Sequence, residues 1–126
     1  MAGCERGYLC TVCGQEVEEI TDSDLYLRYV LGEVEWEVLH KFPERHLRCD
    51  PILAQFIVDD RFSPVQVDGD FSKDRLDAEY VRTEEDRVTR GYSRLHELAA
   101  ANLPIGEYPL SEVLSRRDDE HRADEA

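Results

Sequence analysis

Apolar positions divide the chain into a few elements punctuated by glycine, proline and acidic residues. Residues 22–31, DSDLYLRYVL, predict a helix, with Asp22 or Ser23 as the cap, Leu25, Tyr29 and Val30 on one face, and Gly32 as the stop. The next stretch, GEVEWEVLHKF, fits two templates: Val34, Trp36 and Val38 alternate as in a strand, whereas Leu31, Val34, Val38 and Phe42 recur as in a helix. We read it as a helix. Asp50-Pro51 then predicts an N-cap followed by proline at the first helical position, with Ile52, Leu53, Phe56 and Ile57 as a continuous apolar side. In residues 63–71, SPVQVDGDF, Val65 and Val67 alternate up to Asp68-Gly69, which predicts a short extended connector or edge strand closed by a turn.

The longest predicted element spans about residues 83–101, with Thr83 and Asp86 in a capping-box-like relation and Pro104 beyond its end. Val88, Tyr92, Leu95, Leu98 and Ala99 form its apolar stripe. Arg87, Arg90 and Arg94 line another face, either as a solvated surface paired with Glu84, Glu97 and neighbouring acids or as a small basic groove for an acidic peptide or phosphate. The tail, residues 116–126, has no large apolar residue to offset the entropy of ordering, so we expect it to be disordered. The predicted architecture is an α-rich α+β fold: a single domain over residues 1–115, with one or two short strands, followed by that acidic tail.

Length and charge narrow the function. The 126 residues suffice for one modest core. Net charge is −14, with 13 Asp/Glu against 5 Lys/Arg in residues 1–60 and 16 against 10 in residues 61–126. Such a field repels phosphate backbones and bare anionic membranes, which argues against nucleic acid and favours a protein as partner. No apolar run approaches the ~20 residues of a membrane span, and the start MAGCERGYLC lacks a basic region followed by an apolar one, so we expect a cytoplasmic protein.

In a reducing compartment four cysteines point to metal rather than disulfides. Leu9-Cys10-Thr11-Val12-Cys13-Gly14 has the form of a zinc knuckle, in which two cysteines aim both sulfurs at one ion and the following glycine admits a positive φ. A redox role for the pair would need it at the end of a strand entering a helix, and it leads instead into QEVEE. His46-Leu47-Arg48-Cys49 places an imidazole and a thiolate on one side of a turn before the Asp50-Pro51 helix. Cys10, Cys13, His46 and Cys49 together supply the four ligands of one structural Zn2+. Among the 32 residues between Cys13 and His46, His40 competes for the histidine position. Cys4 is read as a free thiol, with replacement of the histidine ligand as its alternative, and His96 and His121 as ordinary polar residues.

In its knuckle followed by a ligand turn and helix, the stretch 8–58 resembles the treble-clef and zinc-ribbon group of small zinc domains, which implies a zinc finger motif and no activity. His40-Lys41-Phe42-Pro43 also resembles the histidine, apolar and proline core of HNH nucleases, which would make His40 catalytic. The match departs from that family twice: no asparagine lies between His40 and Cys49, and too few residues separate Pro43 from His46 to carry the middle catalytic residue. No glycine-rich phosphate loop, Gly-x-Ser-x-Gly elbow or His-Glu-x-x-His pair occurs. The expected function is a noncatalytic, zinc-stabilised protein-interaction module, with a divergent HNH-like metal-dependent nuclease as the alternative. Trp36, Phe42 and Tyr26 are the aromatic anchors available to such a module.

Overall fold

A computed structural model describes residues 8–116, apart from the side chains of Tyr8, Trp36 and His40. Cys4, His121 and residues 117–126 of the tail lie outside the described residues. The knuckle folds as a hairpin, in which β1 (Tyr8–Leu9) pairs antiparallel with β2 (Glu16–Val17). Gly14 turns the chain at φ +78°, with its N–H on the Cys10 carbonyl at 2.9 Å.

Helix α1 (Asp24–Val30) is capped by Ser23, whose hydroxyl accepts from the Tyr26 N–H. Leu25, Tyr29 and Val30 are buried as their spacing predicts, and Gly32 ends the helix at φ +83°. The ambiguous stretch that follows forms a 3-10 helix, Trp36–Lys41, which buries Val34 and Leu39 against Leu25 and Tyr29. The helical alternative was therefore closer than the strand.

Helix α2 (Pro51–Ala54) is shorter than its apolar run suggests. Leu53, Phe56 and Ile57 are buried, but Ile52 is 48% exposed. Asp50 stands at the cap position without capping, because its carboxylate is held by Arg28 at 2.6 Å and Arg45 at 3.4 Å. Residues 63–71 form no strand, so the connector alternative describes them.

Helix α3 (Ala78–Ala100) starts a turn and more before the predicted boundary. The cap is Asp77, accepting from the Tyr80 N–H at 3.1 Å, while Thr83 lies inside the helix and donates to the Glu79 carbonyl. Val88, Tyr92, Leu95 and Leu98 are buried on one side; Ala99, expected with them, is exposed. The arginine stripe is the solvated, paired face. Arg87 bonds Glu84 and Glu33, Arg90 bonds Asp86 and Glu112, and Arg94 bonds Glu97 and the carbonyls of Glu107 and Tyr108.

The main core joins α1, α2 and α3 through Leu27, Leu53, Ala54, Tyr92 and Leu95, with Leu31, Leu47 and Phe56 from the segments between them. α3 crosses α1 closely at Gly91, where a Cβ would lie 2.7 Å from Leu31 Cδ2 and 2.9 Å from Leu27 Cδ1. Gly91→Ala gains about 1 kcal/mol of helix propensity. Overpacking costs about 1–3 kcal/mol. The expected net result is a loss of about 1 kcal/mol, read as a lower denaturant midpoint at unchanged slope; a raised midpoint would show that the two helices separate freely.

Candidate metal centre

The hairpin and the turn after residue 43 bring Cys10, Cys13, His46 and Cys49 together, with one ligand atom from each lying within 4.8 Å of the others. Cys13 Sγ is 3.4 Å and Cys49 Sγ 3.9 Å from His46 Nδ1. A tetrahedral ion with bonds of ~2.3 Å to sulfur and ~2.0 Å to nitrogen sets ligand atoms about 3.5–3.8 Å apart, so this donor set fits one ion after small movements. His40 lies on the 3-10 helix Trp36–Lys41, and its side chain is outside the described residues, as is Cys4.

Backbone groups orient each half. The Val12 and Cys13 N–H groups donate to Cys10 Sγ at 3.4 and 3.5 Å, which stabilises a thiolate inside the knuckle. His46 Nε2 lies 2.9 Å from the Glu16 carbonyl; a carbonyl only accepts, so Nε2 carries a proton and Nδ1, which faces the sulfurs, is the nitrogen available to an ion. β2 thus supplies no ligand but fixes the tautomer of one.

The ligand turn is clamped on both sides. Thr11 N–H donates to the Glu44 carbonyl at 3.0 Å, and Asp24 N–H to the Arg45 carbonyl at 2.9 Å. The buried Glu44 carboxylate accepts from the Ser23 hydroxyl at 2.9 Å, the Arg45 N–H at 3.0 Å and the Leu25 N–H at 3.4 Å. Buried Asp24 takes Arg45 at 3.0 Å and Arg28 at 3.2 Å, and Arg28 reaches on to Asp50. The residues before His46 and after Cys49 are therefore tied to the start of α1. Sequence reasoning missed this network, whose one visible signal is the charged pair Glu44-Arg45 directly before a ligand.

With protons rather than a metal on these atoms, the site is electrostatically divided. Burial pushes the Cys10 thiol up, but N–H groups of Cys13, His46 and Val12 bring it down to about 6. Burial draws the His46 imidazole down, yet Cys10, the Glu16 carbonyl and Asp22 raise it to about 9. Burial together with Cys10 and Cys13 pushes Cys49 up to about 12. Crowding several thiolates is costly without a cation, and a divalent ion bound here must displace protons from His46 and Cys49.

The chain has no match among protein-family models, curated proteins or solved structures. No helix of the described residues is long and apolar enough to cross a membrane.

Proposed function

We propose that the chain is a zinc-stabilised, noncatalytic protein-interaction module whose single Zn2+ serves structure only. The observation that carries this reading is the donor set: three sulfurs and one imidazole nitrogen converge from two separate turns. Three thiolates with an imidazole favour zinc, and four protein ligands leave no position for an activated water. A knuckle hairpin facing a ligand turn that feeds α2 has the layout of a treble clef, which is the motif we assign to it.

Leu9 and Val12 on the knuckle and Phe42 before the ligand turn are exposed apolar side chains, and this reading assigns them to the partner surface. Of the other aromatic anchors, Tyr26 packs partly against Tyr108. The acidic charge favours a basic or neutral protein over nucleic acid.

Duplex DNA separates this reading from a nuclease. Incubated with the zinc-loaded protein and magnesium or manganese at physiological salt, DNA is expected to stay uncut. Cleavage that disappears in His40→Ala would replace the module with an HNH-like enzyme.

A further inference from the structure

Residues 64–68 follow Ser63 beside the metal turn and leave their backbone open. Val65 and Val67 are half-buried while Pro64, Gln66 and Asp68 are exposed, the alternation of an extended segment. Among the described residues, no hydrogen bond reaches the backbone groups of Val65, Gln66, Val67 or Asp68. An extended run of unpaired N–H and C=O groups is a template for another strand.

The segment borders a cleft of about 560 Å³. Ile57 and Phe62, both buried core residues, give the cleft apolar surface. Its charge is negative. Asp60 and Asp74 are exposed and have no ion pair among the described residues, whereas Lys73 is taken by Glu85 at 2.7 Å and by the Gln55 carbonyl at 3.0 Å. At one end, Gln55 Nε2 donates to the carbonyls of Ile52 at 3.0 Å and Phe71 at 2.9 Å.

We propose that residues 64–68 accept an extended segment of a partner protein as an added β-strand, and that this segment alternates apolar residues with lysine or arginine. Main-chain hydrogen bonds supply the pairing, and side chains of the added strand meet Ile57, Phe62, Asp60 and Asp74 in the lining of the cleft. A second copy of this chain is disfavoured by its own charge of −14, and a nucleic acid by the same acidic rim. The proposal rests on the interaction-module reading and links the surface to the metal turn. Arg48, between the ligand residues His46 and Cys49, lies 4.3 Å from the centre of the Phe62 ring and donates to the Ser63 carbonyl at 3.2 Å.

The test titrates the isotope-labelled full chain with a blocked heptapeptide of alternating valine and lysine, and with its valine–glutamate counterpart. The lysine peptide is expected to bind at least about 10-fold tighter and to slow amide exchange at residues 65–68 by about 10-fold. N-methylation of its backbone should abolish binding. Asp60→Lys combined with Asp74→Lys should weaken binding about 10-fold at an unchanged melting temperature. Absence of binding, equal affinity for the two peptides, protection confined to other residues, or self-association through residues 64–68 would each overturn the proposal. Metal content and DNA cleavage measured on the same sample report failure of the module reading separately: a zinc-loaded, cleavage-free protein that ignores the lysine peptide refutes strand addition alone.

Discussion

Cys49→Ser is expected to release the metal and unfold the N-terminal half of the chain. Structural zinc supplies an apparent ~10–16 kcal/mol in small domains at neutral pH. A whole domain is usually stable by only ~5–15 kcal/mol, so the loss of a ligand removes most or all of the margin. The structure adds the route by which the damage spreads. Leu47, one residue from His46 and two from Cys49, is fully buried in the main core with Leu27, Phe56 and Tyr92. A ligand turn that lets go of its ion therefore withdraws a core side chain. His46→Ala should behave as Cys49→Ser does, while Cys4→Ser and His40→Ala should retain metal and melt near the parent temperature. Melting curves and metal content of the four variants are read together. A metal-free His40→Ala beside a metal-replete His46→Ala would transfer the fourth ligand to His40.

Glu44→Ala is the largest expected effect away from the ligands. Its carboxylate accepts from the Ser23 hydroxyl and the Leu25 N–H in a buried setting, and from the partly buried Arg45 N–H. Each buried donor left without an acceptor costs about 1–3 kcal/mol, so losing the group should destabilise by about 3–4 kcal/mol. The effect also reaches the metal. Ser23, which caps α1 through the Tyr26 N–H at 3.0 Å, pairs with His46 in an isolated bridge. Loss of this support should weaken zinc binding by about 10–100-fold. Denaturant titration and competition against a chelating dye measure the two effects, and Glu44→Gln should recover part of each. Parent-like stability and affinity in Glu44→Ala would show that the carboxylate is tolerated rather than structural.

What could be read from the sequence was whatever is local. Cys10-x-x-Cys13 and His46-x-x-Cys49 are adjacent pairs, so their meeting needed only two turns to face each other. Helix α1 declared itself through the Ser23 cap, its apolar face and the Gly32 stop. The start of α3 lies earlier than expected because Thr83 resembles a cap, although Val81 and Tyr80 in the first turn already pack toward the core. Asp50 shows the deeper limit. Its position before Pro51 is that of a cap, yet Arg28, 22 residues away, claims its carboxylate. Asp24 likewise takes Arg45 and Glu44 takes Ser23, each 21 residues away, and an acidic residue in a turn reads as solvent-facing until such distant donors are known. Residues 63–71 alternate like a strand but pair with none among the described residues, and the pattern alone leaves both the connector, which they form, and the edge strand open.

Elemental analysis of the purified chain, combined with thiol titration of the folded state, decides whether a structural zinc holds the two turns together. The expected result is close to one zinc per chain, with Cys10, Cys13 and Cys49 unreactive until a chelator removes the ion. A folded protein with almost no metal and all of its thiols titratable would contradict it.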